Sequence, residues 1–224
     1  MPMMLDDKIR YLQIAFNFDA GMVASLLPRI PPSSRILIEA GTPFIKREGM
    51  QGIRFIRRMW RGLIVADIKI ADGALDEVQM VRAAGANAVT VLGNAPRESI
   101  DICLEACRNY GMISMIDMIG VNDPLAVIRP LQKPPDVVVL HLGRDEETTR
   151  GKLIQYRHVN RIRSKYPVLI SAAGGVDTKR ARSAIFNGAN IVVANIVRQG
   201  AVWRGISAGS DVGAMAQEFL TEIE

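Results

Sequence analysis

The chain has almost no cysteine and few aromatic residues. Two cysteines in 224 residues exclude a disulfide framework as the organising device of the fold. Cys103 and Cys107 stand four apart, on one face of an expected helix. No further Cys/His set completes a metal site, so both read as reduced packing residues. Aromatics make up 5% of the chain, too few for the stacking platforms that hold single-stranded nucleic acid. No apolar run approaches the roughly 18–20 residues that span a bilayer. The N-terminal MPMMLDDKIR carries two early acids and lacks an apolar signal core. The reading is a protein with no membrane partner and a cytoplasmic location. The positive excess is small, at +5. Its arginines are scattered, and the one short cluster, Arg54, Arg57, Arg58 and Arg61, has the spacing of a solvated helical face. A small anionic metabolite, rather than nucleic acid, is the expected partner.

Short aliphatic runs recur along the whole chain. They are LQIAF (12–16), RILIEA (35–40), LIVADI (63–68), NAVTVL (87–92), MISMID (112–117), DVVVLHL (136–142), PVLISA (167–172) and NIVVAN (190–195). Each is too short for a helix and reads as a strand buried on both faces. Helical patterns fill the gaps. One runs through Leu75, Val78 and Val81 and ends at Gly85. Another runs from Pro96 to Tyr110 and stops at Gly111, with proline in the first turn and glycine past the end. Asp177 is placed to cap a helix carrying Ala181 to Phe186 that closes at Gly188. The Pro-rich segment 28–32 reads as a helix stop and turn, and Arg144 to Lys152 as the most polar loop. Nothing resembles a linker. Eight strands alternating with helices predict one domain over residues 1–224, a single (β/α)8 TIM barrel.

Catalytic residues of such barrels come from the C-terminal ends of the strands. The polar residues at those ends here are Asn17, Glu39, Asp67, Lys69, Asp72, Asp117 and His141. Each would cost several kcal/mol to bury unpaired. The segment Asp67-Ile-Lys69-Ile-Ala-Asp72 is the strongest local signal. Residues 67 and 69 share a strand face, and an alternating carboxylate–ammonium–carboxylate row would hold the lysine as a cation facing a developing anion. A structural ion-pair network at the rim is the other reading. Glu39 and Asp67, on adjacent strands, are hard ligands suited to Mg²⁺, with helix-cap or loop contacts as the alternative. His141, one of two histidines, ends strand six and is placed for acid or base work, with Arg144 three residues on to hold a substrate oxygen. His158, in QYRHVNRIR, reads as surface. Gly174 and Gly175 follow strand seven and precede a helix, where barrels often bind phosphate.

These segments resemble the orotidine-monophosphate decarboxylase suprafamily, and within it the 3-hexulose-6-phosphate synthases and 3-keto-L-gulonate-6-phosphate decarboxylases. The matching pieces are LQIAFN, IEAGTPFIKREGM, ADIKIADGA, VLGNA, HLGRD and AAGGVD, in the family's order. DIKIAD alone would also suit an orotidine 5'-phosphate decarboxylase, but those enzymes usually carry a lysine in place of the Glu39 context and have a different strand-seven loop. The resemblance implies that Glu39 and Asp67 bind Mg²⁺ and that Lys69 neutralises an enediolate. It implies that His141 moves the proton or positions the water that does, and that Gly174 and Gly175 hold the phosphate of a small sugar. It implies a homodimer in which Asp72 reaches the neighbouring subunit's site.

Two positions depart from the family pattern. Asn17 stands where a strand-one aspartate is usual, and the strand-eight loop reads Ala194-Asn195, with Arg198 nearby as a substitute phosphate contact. The leading expectation is a lyase, an aldolase joining formaldehyde to ribulose 5-phosphate or running in reverse. A 3-keto-L-gulonate-6-phosphate decarboxylase is the second reading, favoured by the His141-x-x-Arg144-Asp145 spacing. A barrel that binds a phosphosugar without turnover is the third, motivated by Asn17 and Asn195.

Overall fold

A computed structural model describes residues 5–150 and 153–224. Eight parallel strands pair in sequence order, and the first pairs with the eighth to close the barrel. They are β1 (Tyr11–Phe16), β2 (Ile36–Ala40), β3 (Ile64–Ile70), β4 (Ala88–Leu92), β5 (Ile113–Asp117), β6 (Val137–His141), β7 (Leu169–Ala173) and β8 (Ile191–Val197). Every aliphatic run of the sequence became a strand. A short ninth strand, β9 (Ile206–Ser207), pairs with β8 beyond the barrel; two residues carry no periodicity to reveal it. Helices lie between and after the strands as α1 (Ala20–Leu26), α2 (Thr42–Met59), α3 (Ala74–Ala83), α4 (Arg97–Tyr110), α5 (Pro124–Ile128), α6 (Arg144–Arg150), α7 (Val159–Arg163), α8 (Thr178–Phe186) and α9 (Val212–Glu222).

Two concentric sets of apolar side chains result from the strand period of two. Outward residues such as Leu12, Ile14, Ile38, Val138 and Ile170 pack beneath the helices. Inward residues such as Tyr11, Leu37, Val65, Met115, Val139 and Val193 fill the barrel. Continuing the inward parity toward the strand ends gives Gln13, Asn17, Glu39, Asp67, Thr90, Asp117, His141 and Asn195. The alternation that builds the core therefore delivers the polar set to the mouth.

Helix ends follow local chemistry. Asp177 caps α8 by accepting from the Arg180 N–H at 2.8 Å. Gly111 ends α4 with φ 65°, a left-handed value that favours glycine. Three expectations change. His158 is buried, 5% exposed, because it lies where α7 turns its apolar side onto the barrel. Arg57 is half-buried, and its guanidinium donates to the Gly62 carbonyl at 2.6 Å and to Asn87 Oδ1 at 3.0 Å. It ties the turn before β3 instead of standing in water. The polar stretch from Arg144 is helix up to Arg150, where Thr148 and Thr149 hydroxyls bond back to carbonyls of the preceding turn; Gly151 and Lys152 lie outside the described residues, as do residues 1–4. Cys103 and Cys107 are free and buried. Among the described residues no helix is long and apolar enough to cross a membrane.

Candidate active site

A cavity of about 380 Å³ opens at the C-terminal ends of the strands. Gln13, Glu39, Asp67, Lys69, Asp117 and His141 form its charged floor, and Gly174, Gly175, Asn195, Arg144 and Arg204 lie on its walls.

Four of these side chains form one connected network, and Gln13 and Glu39 form a pair beside it. Lys69 Nζ bonds Asp67 Oδ1 at 3.1 Å and also meets Asp117 Oδ2. His141 Nδ1 lies 2.8 Å from the same Asp117 oxygen. Because the carboxylate only accepts, the imidazole nitrogen facing it carries the proton, which leaves Nε2 as the nitrogen available for exchange. Thr90 Oγ1 donates to Asp67 Oδ1 at 2.8 Å, and Thr42 Oγ1 to Asp67 Oδ2 at 2.9 Å. The Asp67 carboxylate thus faces three side-chain donors, Lys69, Thr90 and Thr42.

The backbone at Lys69 is bent to achieve this. The β3–β4 register shifts between Ala66 and Ile70, and Lys69 has φ 55°, the one positive value among the described non-glycine residues. Its N–H leaves the sheet ladder and is taken up by Thr90 Oγ1 at 3.0 Å. An observed left-handed residue of this kind points to a functional constraint.

Electrostatics follow from burial and pairing. Burial works against the charged Asp117, but the His141 and Lys69 cations outweigh it and hold the carboxyl at about 2. Burial also opposes the charge on His141, yet Asp117 raises the imidazole above its ordinary value. For Lys69 burial is again the opposing effect, and Asp67 and Asp117 together push the ammonium above its ordinary range. Lys69 is therefore a fixed cation, suited to stabilising an anion and unsuited to acting as a base. Glu39 is different. Burial and the nearby Asp67 charge push it up to about 7, against the opposing Gln13 hydrogen bond. Gln13 Nε2 donates to Glu39 Oε2 at 2.5 Å, while the buried Gln13 Oε1 has no partner among the described residues.

The Glu39 and Asp67 pair fits a divalent cation. Two carboxylates on neighbouring strands repel one another without one, and the unpartnered Gln13 oxygen beside them suits a bound water. Among the described residues no group of three or more His, Cys, Asp or Glu side chains is arranged around a metal position. Any cation held here takes two carboxylates and completes its shell with water or substrate, as Mg²⁺ commonly does.

The sequence candidates separate into two groups. Glu39, Asp67, Lys69, His141, Asn17, Arg144, Gly174, Gly175 and Asn195 all line the cavity. Asn17 Nδ2 donates to Asn195 Oδ1 at 2.8 Å, so the two departures from the family pattern satisfy each other across the β1–β8 seam. Asp72 is exposed and lies outside the cavity. Arg198 also lies outside, its guanidinium 5.0 Å from the Phe18 ring centre. Asp117 was visible as a polar strand end, but one chain gave no sign that it joins Lys69 to His141. Thr42 lay within the IEAGTPFIKREGM segment without being singled out, and Thr90 and Arg204 carried no motif; all three were missed.

Comparison with known proteins agrees with this architecture. Residues 10–196 match the family described as Orotidine 5'-phosphate decarboxylase / HUMPS. The "Bifunctional enzyme Fae/Hps" of Methanothrix thermoacetophila is 36% identical over 216 residues, which is 96% of this chain and 53% of that protein. The chain thus spans about half the length of the curated relatives it matches. The crystal structure of 3-hexulose-6-phosphate synthase from Salmonella typhimurium superposes with a TM-score of 0.79 at 25% identity, covering 95% of this chain and 98% of that one. That of 3-keto-L-gulonate-6-phosphate decarboxylase from Vibrio cholerae gives 0.75 at 19%, covering 96% and 97%, a likeness of fold. With the barrel, the strand-end network and a match running from β1 to the end of β8, the chain belongs to the orotidine 5'-phosphate decarboxylase / HUMPS family.

Proposed function

We propose that the protein is a Mg²⁺-dependent aldolase of the 3-hexulose-6-phosphate synthase type, joining formaldehyde to ribulose 5-phosphate or running the reverse cleavage. The observation that carries this is the Lys69–Asp117–His141 network beside Glu39 and Asp67: a fixed cation, a proton-exchanging imidazole and a carboxylate pair at one barrel mouth. The likeness to Fae/Hps proteins and to a hexulose-phosphate synthase structure supports it.

The sugar phosphate sits against Gly174 and Gly175 at the start of α8, where backbone N–H groups and the helix field favour an anion. This places C1 and C2 of the sugar over the network. A proton leaves C1, and the neutral form of His141, its Nδ1 proton facing Asp117, receives it on Nε2 directly or through a water. The negative charge that develops on the enediolate oxygens faces the Lys69 ammonium, whose preorganised position lowers the barrier. C1 then bonds to the formaldehyde carbon, the C2 ketone re-forms as the enediolate collapses, and the formaldehyde oxygen takes up a proton to become the new hydroxyl. A Mg²⁺ held by Glu39 and Asp67 would supply Lewis-acid stabilisation to the same oxygens. Asn17 and Asn195 give neutral hydrogen-bonding groups next to the sugar.

Asp72 is read as a contribution to the site of a second copy, making the working unit a homodimer. Its exposed position outside its own cavity supports this, as do the exposed Leu75 and Met80 on α3 and Ile102 on α4. Two free, buried cysteines suit a reducing cytoplasm.

Incubation of the purified chain with Mg²⁺, ribulose 5-phosphate and formaldehyde tests the reading: a hexulose 6-phosphate is expected, and no aldol product refutes it. Arg144 on the cavity wall favours one second reading, the decarboxylase; CO₂ release from 3-keto-L-gulonate 6-phosphate would establish that instead.

A further inference from the structure

The phosphate loop of this chain is already occupied by a carboxylate. Gly174 and Gly175 have φ 107° and 55°, turning the loop in a way that favours glycine. A Cβ built on Gly175 would collide with the Glu147 carboxylate. Glu147 belongs to α6, lines the cavity, and its side chain is 15% exposed. Arg180, in the first turn of α8, holds it there. One guanidinium nitrogen of Arg180 donates to Glu147 Oε1 at 2.7 Å and to the Gly175 carbonyl at 2.8 Å.

A second arginine stands at the same loop. Arg204 lies between β8 and β9, lines the cavity, and pairs with Asp177 Oδ2 at 3.2 Å. Arg198, which the sequence offered for this task, is stacked over Phe18 instead. Two cations and two carboxylates therefore surround the loop. An incoming phosphate carries close to two negative charges and cannot share the loop with Glu147, since like charges at contact in a partly buried site repel strongly.

We propose that Glu147 is a place-holder for the substrate's phosphate. On binding, the phosphate displaces the carboxylate, and Arg180 and Arg204 become its charged contacts. No bond is made or broken; the exchange is of ion-pair partners. It is linked to the reaction centre through α6, which begins at Arg144, three residues beyond His141, and whose Glu147 N–H bonds the Gly143 carbonyl at 3.0 Å. Arg204 is on this account a binding residue specific to the β8–β9 segment, and non-phosphorylated sugars, unable to take over the arginines, leave Glu147 in place.

The inference rests on the phosphosugar reading above, and its test separates the two. Calorimetric titrations at fixed ionic strength use ribulose 5-phosphate and, independently, inorganic phosphate. Glu147→Gln keeps the shape and removes the competing charge, so both anions should bind at least about threefold more tightly. Arg204→Gln should weaken both by about tenfold, the worth of a charge-assisted hydrogen bond, with Arg204→Lys recovering part of the loss. Circular dichroism confirms that each variant is folded. Unchanged or weaker binding by folded Glu147→Gln overturns the exchange, as does unchanged binding by Arg204→Gln. If inorganic phosphate responds as stated while ribulose 5-phosphate does not bind, the exchange stands and the aldolase reading falls. If wild type and Glu147→Gln bind neither anion, both fall.

Discussion

Lys69 is held in a left-handed backbone conformation, φ 55°, inside a strand, and this makes an unusual stability order predictable. Replace Lys69 by Ala and, separately, by Gly. Both variants lose the ammonium that pairs with Asp67 and Asp117. Breaking such a largely buried pair on one side costs about 3–5 kcal/mol, and that loss is common to the two. What differs is the backbone. A residue with a Cβ in the left-handed region costs about 1–2 kcal/mol, a cost that Gly does not carry. Gly loses more chain entropy on folding, roughly 0.5–1 kcal/mol relative to Ala. The difference leaves Lys69→Gly the more stable variant by about 0.5–1 kcal/mol, whereas at an ordinary strand position Ala wins. Urea unfolding followed by circular dichroism measures the gap. An alanine variant as stable as the glycine variant would refute the claim that this bulge stores strain to aim the lysine. Aldol turnover should be lost in both, because both lack the cation.

Other consequences follow from the same network and its surroundings. The Asp117 carboxyl sits at about 2 against an ordinary 3.8; a depressed acid contributes stability that is fully present above its unfolded value and lost as pH falls through its folded one. That contribution is worth roughly 2 kcal/mol, so the stability gap between wild type and Asp117→Asn should narrow as pH falls from 5 to 3; a gap independent of pH in that window contradicts the assignment. Lys69→Ala and Asp72→Ala should each be inactive alone, yet mixed and re-equilibrated they should regain roughly a quarter of wild-type activity through heterodimers with one intact site. No recovery on mixing would show that Asp72 does not cross to a second copy. Gly174→Ala should lose about 1–3 kcal/mol of thermal or urea stability, since φ is 107° and a Cβ would strike the Leu142 carbonyl; a stability within error of wild type would mean that the loop relaxes freely.

Much of the barrel is legible in the sequence because its strands are buried on both faces. That demand produces unbroken aliphatic runs such as Val137–Leu140, which a surface loop does not need. The caps at Asp177 and Gly111 were equally readable, since each meets a local backbone requirement. Polar residues at strand ends were found for the complementary reason: Asp67, Asp117 and His141 interrupt runs that burial would otherwise keep apolar. What one chain does not display is pairing across the barrel. Asp117 and His141 are brought together by β5–β6 register, and Asn17 meets Asn195 only because β1 closes on β8. Arg198 and Arg204 differ in a way no spacing rule expresses. The first found an aromatic ring and the second a carboxylate beside the glycine loop. The burial of His158 was hidden by its polar sequence neighbours, one of which, Arg157, donates from Nε to His158 Nε2 at 3.3 Å.

The most direct measurement is the carbon–carbon bond itself. Purified protein is given ¹³C-formaldehyde, ribulose 5-phosphate and Mg²⁺, and the products are followed by ¹³C NMR. The account predicts that the label enters C1 of a hexulose 6-phosphate with wild type and not with Lys69→Ala. Label remaining wholly in formaldehyde with wild type, or incorporated equally by the lysine variant, would contradict it.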